Sequence, residues 1–331
     1  MSKKNLISIV GPTAIGKTTL AIALAKHYKT EIISADSRQF YKEMSIGTAV
    51  PSQEELASVP HHFIQHKSIF EEYTVGDFER EAIKKLEILF EDNDIVVMVG
   101  GSGLYVDAIK DGLDSFPTID PKIRETLNET LVTQGILSLQ ERLKILDRDY
   151  YDQVDLSNPH RLIRALEVCI GSGLPYTSFL NQKKPERNFN TITIAINAER
   201  EIIYDRINQR VDIMLEMGLL EEVASLKDQQ TLNALQTVGY RELFSYFKGD
   251  YDLDTAIAEI KKNTRRFAKR QLTWLRKKED ILWVDYEYNL NEILEKIEEN
   301  EYDVFNKRAF LNQSEKLYIL PQVLLDLKKA V

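Results

Sequence analysis

The chain of 331 residues lacks several features that mark common protein classes. Its one cysteine, Cys169, excludes an intrachain disulfide and a zinc site built from two or four cysteines of a single chain. No apolar run approaches the roughly 20 residues that a membrane-spanning helix needs, and residues 1–5 lead into a strand-like segment without a secretory signal. We therefore expect a cytoplasmic protein with no membrane partner, in which Cys169 is a buried structural thiol.

The chain also lacks an excess of positive charge, because its formal net charge is −9. This balance alone argues against a nucleic-acid partner, but the distribution of charge argues for one. Nine basic residues and no acidic residue lie between Lys261 and Lys278, a segment that we call the basic stripe. Lys262, Arg266, Lys269 and Arg276 fall near one face of the predicted helix. A segregated basic stripe is typical of a polyanion-binding surface, and a solvated helix face is its commoner alternative.

The most informative feature that is present is a GxxxxGK[ST] motif, Gly11-Pro-Thr-Ala-Ile-Gly-Lys-Thr18. An apolar run before it and a helical pattern after it predict the strand, loop and helix of a phosphate-binding loop. In such a loop backbone N–H groups face an anion, Lys17 supplies a positive charge, and the Thr18 hydroxyl can ligate Mg²⁺. Kinases, NTPases and transferases that release pyrophosphate all use this loop, so it does not identify the phosphates.

Apolar β-rich runs alternate with helical patterns over the first hundred residues. The predicted strands are Leu6 to Val10, Glu31 to Ala35 and Ile95 to Val99, with helices from Thr18 to His27 and from Phe78 to Phe90. Strands that are apolar throughout are typical of a parallel sheet covered on both faces. The sequence therefore predicts an α/β fold, a P-loop NTPase-like doubly wound parallel sheet, whose ligands gather beyond the carboxyl ends of the strands.

A long segment without strand patterns interrupts this sheet. From Leu113 to Phe189 the pattern is helical, and the strands resume only at Thr191 to Ile196 and Ile281 to Val284. We predict a catalytic core of residues 1–112 and 190–286, with a helical insertion domain over 113–189 hinged at Gly171, Gly173, Pro175 and Pro185. The tail, 287–331, contains helical patterns at Ile293 to Glu299 and Leu317 to Leu327 but no motif.

Polar residues follow the predicted strands. The strand Ile95 to Val99 runs into Gly-Gly-Ser-Gly without the acidic residue of a Walker-B motif, which weakens the case for a hydrolase. Asp36 follows the second strand, where its carboxylate could accept a proton or help to hold Mg²⁺, with a turn or N-cap role as the alternative. Ser102 could hydrogen-bond a substrate. His61 and His62 lack the spacing of a metal-binding pair, so we expect a structural role.

Seven motifs occur in one order along the chain: GPTAIGKT, SADSRQFYKEMSIGTA, VPHHF, VGGSGLY, NPHRLIRALEV, QTVGYRE and TRRFAKRQLTW. Together they closely resemble the bacterial tRNA dimethylallyltransferases, which place an isopentenyl group on N6 of adenosine 37 beside the anticodon. The resemblance spans roughly Ile7 to Trp283 and leaves the C-terminal tail outside. It implies dimethylallyl diphosphate and the anticodon stem-loop of tRNA as substrates, with Mg²⁺ as the cofactor.

The resemblance also implies roles for individual residues. Asp36 is the base that takes the N6 proton, and Lys17 and Ser102 complete the catalytic set. The diphosphate-binding residues, with Thr18 also holding Mg²⁺, are Gly11, Thr13, Ala14, Ile15, Gly16, Lys17, Thr18 and Arg210. The tRNA-binding residues are Asp36, Ser37, Arg38, Gln39, Ser102, Arg124, His160, Arg161, Leu162, Ile163, Arg164, Gln236 and Arg241.

Recognition of the RNA would combine an extruded base with contacts to the backbone. Phe40 and Tyr41 are candidates to stack on that base, with core packing as an equal alternative. The insertion would clasp the anticodon stem by shape, and the basic stripe would bind phosphates with a salt-dependent affinity. One such stripe and a substrate of this size are compatible with a monomer.

Three other functions fit parts of the pattern. An adenylate isopentenyltransferase, which modifies free AMP, would need neither the insertion nor the basic stripe. A small-molecule P-loop kinase would use Asp36 as its base and would transfer a phosphoryl group from ATP. An RNA-binding P-loop protein that uses a nucleotide only as a switch would bind RNA without turnover.

Overall fold

The computed structural model describes residues 4–182 and 186–299. It divides into two compact units, which we call the core unit (Met1–Lys110 and Asn188–Val331) and the insertion unit (Asp111–Arg187). The insertion unit thus begins and ends two residues before the predicted segment 113–189. The predicted hinge residue Pro185 and the helical pattern from Leu317 to Leu327 lie outside the described residues.

The described part of the core unit contains one parallel sheet of six strands in the order β3-β2-β4-β1-β5-β6. The strands are β1 (Asn5–Val10), β2 (Ile32–Ser34), β3 (His61–His62), β4 (Ile95–Val99), β5 (Asn190–Asn197) and β6 (Ile281–Asp285). The predicted α/β parallel sheet is confirmed. Only β3 was missed, because a pair of residues is too short to carry a periodic pattern.

Helices cover both faces of this sheet. In the core unit they are α1 (Lys17–Tyr28), α2 (Gln53–Ser58), α3 (Val75–Asp92), α4 (Gly103–Asp111), α9 (Arg200–Glu216), α10 (Leu219–Ser225), α11 (Tyr240–Lys248), α12 (Leu253–Leu275) and α13 (290–299). In the insertion unit they are α5 (Pro121–Gln134), α6 (Ile136–Leu146), α7 (Arg148–Tyr151) and α8 (Pro159–Ser172). None of the described helices combines the length and the apolar character that crossing a membrane requires.

Alternate residues of each strand build two separate hydrophobic cores. Leu6 and Val10 of β1 face a core formed with α3, α4, α10, α11 and α12. Ile7 and Ile9 face the opposite core, formed with α1, α9 and α13. Because both faces are buried, the central strands β1 and β4 are largely apolar without alternation, as the sequence indicated.

The insertion unit has a smaller core of its own, in which Leu127, Leu143 and Leu166 are buried. Its helices begin at residues suited to that position: Asn158 caps α8 with its side chain, and Pro159 fills the first helical position. Cys169 is buried on the same helix, and burial raises the pKa of its thiol. The predicted structural role of this cysteine is confirmed.

Candidate active site

A cavity of about 1240 Å³ opens at the carboxyl ends of β1, β2 and β4. The loops that follow these three strands, predicted to carry the ligand-binding residues, all line it at positions 13–19, 36–39 and 99–105. Residues of helices α9 and α12 also line it, together with residues 45–53, 236–239 and 241. The sheet therefore brings together groups that are far apart in the sequence.

The phosphate-binding loop has the conformation that its glycines permit. Gly11 has φ +147°, and a Cβ atom there would lie 2.7 Å from the backbone oxygen of Ile196. Gly16 has φ +105° and is the N-cap residue of α1, where it offers no side chain to the first N–H groups of the helix. Those N–H groups and the positive end of the helix dipole are directed at the cavity, which favours an anion.

Two cations lie beside this loop. Lys17 Nζ donates to the backbone oxygen of Pro12 at 2.8 Å, and burial lowers the pKa of Lys17 to about 8, with Asp36 opposing the shift and Arg210 adding to it. Burial also lowers the pKa of Arg210, and the neighbouring Arg206 adds to that effect. Within residues 4–182 and 186–299 neither Lys17 nor Arg210 forms an ion pair. The site is therefore electrostatically prepared for an anion.

The Asp36 carboxylate faces the same cavity. Its Oδ1 atom accepts a hydrogen bond from the backbone N–H of Arg38 at 3.1 Å, so Asp36 does form a turn. Its Oδ2 atom has no hydrogen-bond partner among the described residues and lies toward Gly101, where a Cβ atom would stand 3.8 Å from it. The turn therefore fixes one oxygen and leaves the other available to a ligand.

Ser102 connects the glycine segment after β4 to the segment after β2. Its Oγ atom accepts the backbone N–H of Ser37 at 3.1 Å and lies 3.1 Å from the Ser37 hydroxyl. Gly100 packs so closely that a Cβ atom there would lie 2.5 Å from the backbone oxygen of Ala35. The two segments thus form one surface beside Asp36.

Arg38 and Gln39, predicted to contact RNA, hold loops in place in this structure. Arg38 Nη1 donates to the backbone oxygens of Asn233 and Ala234 at 3.0 and 2.9 Å, just before the cavity-lining segment 236–241. Gln39 Nε2 donates to the backbone oxygens of residues 48 and 49. Gln236 and Arg241, to which the resemblance gives a tRNA-binding role, themselves line the cavity.

Glu222 is a contributor that the sequence did not reveal. Its carboxylate accepts the backbone N–H groups of Ser45, Ile46 and Gly47 at 2.7 to 3.0 Å and the Tyr240 hydroxyl at 2.6 Å. These residues from 45 to 47 line the cavity. A single glutamate in a helical pattern carries no signal for such a role, because all its partners are at least 18 residues away.

The hypothesis that Phe40 and Tyr41 stack on a base is wrong, and the alternative of core packing is correct. Phe40 is 1% exposed and stacks on Phe78 with the ring centroids 5.2 Å apart. Tyr41 is also buried. Exposed apolar side chains do line the cavity elsewhere, among them Phe267 of α12, which is 38% exposed, and Met217, which is 64% exposed.

Two arginines of the insertion unit, Arg124 and Arg164, share one buried carboxylate. Arg124 donates to both oxygens of Glu167, at 3.2 and 2.6 Å, and Arg164 donates to Oε2 at 3.0 Å. Burial would raise the pKa of Glu167, but the hydrogen bonds from both arginines outweigh it and lower the pKa. Both arginines were predicted to bind tRNA, and both have a structural partner here.

The predicted RNA-binding segment from His160 to Arg164 is only partly exposed. His160 and Arg161 are exposed at the start of α8. Leu162 and Ile163 are buried in the core of the insertion unit, so the prediction that they contact tRNA is corrected for their side chains. The helical period turns these two residues inward between the exposed Arg161 and the half-buried Arg164.

The basic stripe is partly neutralised by neighbouring acids. Lys261 pairs with Asp212 at 2.6 Å, Lys262 pairs with Glu259, and Lys278 pairs with Asp107 at 2.7 Å. The exposed basic residues of the stripe are Arg266, Lys269, Arg270, Arg276 and Lys277. The surface available to a polyanion is therefore narrower than the sequence suggested.

The paired histidines are structural, as expected. His61 Nδ1 lies 2.8 Å from the backbone oxygen of Val59, and His62 Nε2 pairs with Glu31. Burial lowers the pKa of His61. Among residues 4–182 and 186–299 no group of three or more His, Cys, Asp or Glu side chains is placed to hold a metal ion.

Comparison with known proteins places this geometry in context. Residues 39–278 match the family model described as IPP transferase. A tRNA dimethylallyltransferase of Christiangramia forsetii is 62% identical over 88% of this chain and 97% of its own length. A solved tRNA isopentenylpyrophosphate transferase of Bacillus halodurans is similar with a TM-score of 0.68 and 35% identity, over 94% of this chain and all of that one. A eukaryotic dimethylallyltransferase acting on tRNA is similar with a TM-score of 0.72 and 27% identity, over 86% of this chain and 74% of that one.

Proposed function

The chain belongs to the IPP transferase family, and we propose that it transfers the dimethylallyl group of dimethylallyl diphosphate to N6 of adenosine 37 in tRNA, releasing pyrophosphate. One observation supports this function best. A single cavity combines the unpaired cations Lys17 and Arg210 with the available Oδ2 atom of Asp36. The cations suit a leaving diphosphate, and the carboxylate suits a proton acceptor.

The diphosphate would lie against the N-terminus of α1. The backbone N–H groups of residues 13–18 would donate to its oxygens, and Lys17 and Arg210 would neutralise charge as the C–O bond to the diphosphate breaks. The Thr18 hydroxyl lines this cavity as an oxygen donor of the kind that Mg²⁺ accepts. Because Mg²⁺ is bound through one or two protein oxygens together with phosphates and water, the residues present fit it, and it would supply further charge neutralisation.

Asp36 would act as the general base. The exocyclic N6 amine of adenine is a weak nucleophile, so alkylation is assisted when its proton leaves as the C–N bond forms. The Oδ2 atom of Asp36 would take that proton, while the Oδ1 atom stays bound to the Arg38 N–H. Ser102, on the surface adjoining Asp36, would hydrogen-bond the base.

The RNA would enter with its target base extruded, because chemistry at N6 cannot take place within a stacked helix. The cavity volume of about 1240 Å³ exceeds the typical range for small-ligand pockets, which leaves room for a nucleobase beside a prenyl diphosphate. Phe267 and Met217 offer exposed apolar surface there. The exposed part of the basic stripe and the insertion unit would bind the anticodon stem-loop, with the chain acting as a cytoplasmic monomer.

The experiment that tests this function uses the full chain, dimethylallyl diphosphate, Mg²⁺ and a synthetic anticodon stem-loop with consecutive adenosines after the anticodon. We expect the RNA to gain the mass of one dimethylallyl group, located on N6 by nuclease digestion and mass spectrometry, with an equal amount of pyrophosphate. A matched RNA with guanosine at the target position is the control. Parallel reactions contain AMP in place of the RNA, or ATP in place of dimethylallyl diphosphate. Phosphoryl transfer from ATP, prenylation of free AMP but not of RNA, or RNA binding without turnover would each favour one of the alternatives and contradict this proposal.

A further inference from the structure

A buried glutamine joins two of the loops that form the cavity. Gln271 lies on α12 and is 6% exposed. Its Oε1 atom accepts the backbone N–H of Thr13, in the phosphate-binding loop, at 2.9 Å. Its Nε2 atom donates to the backbone oxygen of Gly101, in the glycine segment after β4, at 2.8 Å. One amide therefore spans the diphosphate side and the Asp36 side of the cavity.

Only one orientation of the Gln271 amide can hydrogen-bond both loops. The amide must present an acceptor to one loop and a donor to the other, and the reverse orientation would set donor against donor and acceptor against acceptor. The approach is also close, because a Cβ atom at Gly101 would lie 2.5 Å from Nε2 of Gln271. Any change in the length or chemistry of this side chain therefore alters the separation of the two loops.

The neighbouring turn of α12 fixes the helix against the same segment. Trp274 packs on Gly103, where a Cβ atom would lie 2.7 Å from the indole, and its Nε1 atom donates to Asp107 of α4 at 2.9 Å. Residues 271 and 274 share one face of the helix by their spacing, and Lys278, just beyond its end, pairs with the same Asp107 at 2.7 Å. The helix that carries the basic stripe is thus attached through this face to the catalytic loops.

We propose that Gln271 is a positioning residue, which sets the distance between the diphosphate bound at Thr13 and the base bound beside Asp36 and Gly101. This inference rests on the proposed function. In-line displacement requires the reacting atoms to be aligned, and a misplacement of about 1 Å can cost on the order of 100-fold in rate. Loss of Gln271 should accordingly reduce the rate of transfer more than it reduces binding of either substrate.

The test compares Gln271→Glu, Gln271→Met and the control Gln209→Met, a matched substitution at an exposed position. At pH 8 the ionised carboxylate of Gln271→Glu keeps an acceptor for Thr13 but repels the Gly101 oxygen, so kcat should fall about 10- to 100-fold with a smaller change in KM. The protonated carboxyl group of the same variant has both an O–H donor and a C=O acceptor. The ratio of its kcat to that of the wild type should therefore increase at least about fivefold between pH 8 and about pH 5.5. The same ratio for Gln271→Met should not change with pH.

The ratio to the wild type removes the pH effects that both proteins share, the titration of Lys17 among them. The positioning role would be overturned if both Gln271 variants kept the kcat of the wild type. It would also be overturned if Gln271→Glu and Gln271→Met lost kcat equally at every pH and in proportion to their loss of thermal stability. Hydrogen exchange of the Thr13 amide, which donates to Gln271, provides a readout that does not depend on prenyl transfer and should be faster in Gln271→Met. If the wild type transfers no prenyl group, the proposed function fails, and equal exchange at Thr13 in the wild type and in Gln271→Met would then overturn the link to Thr13 as well.

Discussion

Two pairs of cationic side chains in this molecule have opposite surroundings. In the core unit, Lys17 and Arg210 line the cavity without an ion-pair partner among the described residues, and burial lowers the pKa of each. In the insertion unit, Arg124 and Arg164 both bind the buried carboxylate of Glu167. The resemblance assigned both pairs to substrate binding, but only the first pair lacks a carboxylate partner among the described residues.

The difference separates a prepared site from a structural contact. A poorly solvated cation without a counter-ion destabilises the folded protein and gains free energy when an anion binds. A cation that is paired with a buried carboxylate stabilises the fold and has less to gain from another anion. A site whose cations are prepared for an anion should therefore lower the free energy of unfolding of the ligand-free protein.

The largest expected effect lies beside the core cations. Asp36→Asn keeps the shape of the side chain and its acceptor for the Arg38 N–H but removes the basic oxygen. We expect kcat to fall by about 10² to 10⁴ with a smaller change in RNA affinity, measured by single-turnover kinetics and filter binding. Asp280→Asn, at an exposed position, is the control. A rate near that of the wild type would remove Asp36 from the mechanism.

Removing the buried charge of the core unit should stabilise the protein while it weakens anion binding. The pKa of Lys17 is about 8 in the folded chain against an ordinary value of 10.5, so below pH 8 the folded state bears the cost of the charge. We expect Lys17→Met to raise the free energy of unfolding at pH 7 by about 1–3 kcal/mol, allowing for partial solvent contact.

Stability of the wild type should itself rise between pH 8 and 10.5, because the unfolded chain then binds more protons at this residue than the folded one. The advantage of Lys17→Met should shrink over the same range in urea titrations. Lys26→Met, exposed on the same helix, should leave stability nearly unchanged. A destabilised Lys17→Met protein at pH 7 would contradict the comparison of the two pairs.

The insertion unit should respond in the opposite direction. Glu167→Gln removes the carboxylate charge that Arg124 and Arg164 share, so we expect the free energy of unfolding to fall by about 1–2 kcal/mol, measured by hydrogen exchange in α5 and α8. Because the pKa of Glu167 is lowered, its contribution is present above its ordinary value of 4.5 and is lost as the pH falls below that value. Pyrophosphate binding should not change. Equal protection in Glu167→Gln and the exposed control Glu141→Gln would show that the pair is not stabilising.

The smallest effect is expected on the basic stripe. Substituting Arg266, Lys269 and Arg276, which are exposed, with Gln should reduce the slope of log K against log salt for RNA binding by about 2, at roughly 0.7 for each phosphate that the protein no longer neutralises. Replacing Lys261, which pairs with Asp212, should reduce the slope by less than replacing one of the three exposed residues. An unchanged slope in the triple variant would make the stripe a solvated helix face.

Much of the fold and part of the site could be predicted from local sequence patterns. The phosphate-binding loop has strict requirements for glycine and a helix start, and β1 and β4 are largely apolar because both of their faces are buried. Asp36 and Ser102 were identified because they follow such strands. These features depend on a few consecutive residues, so they can be recognised without knowledge of the fold.

Contacts between distant segments could not be predicted in this way. Gln271 bonds to Thr13 and Gly101, which lie 258 and 170 residues away, and Glu222 bonds to a loop about 175 residues away. The burial of Phe40 likewise depends on which helix covers the turn that contains it. Such roles are decided by tertiary packing and leave no local pattern.

The affinity for pyrophosphate as a function of pH tests the central claim most directly, namely that unpaired cations in the core unit prepare the site for a diphosphate. Calorimetry on the wild type and on Lys17→Met at each pH cancels the titration of the ligand itself. We predict that the ratio of the two affinities is constant below about pH 8 and falls above it by up to tenfold per pH unit, as Lys17 loses its proton. Equal affinities for the two proteins across this range would contradict the account.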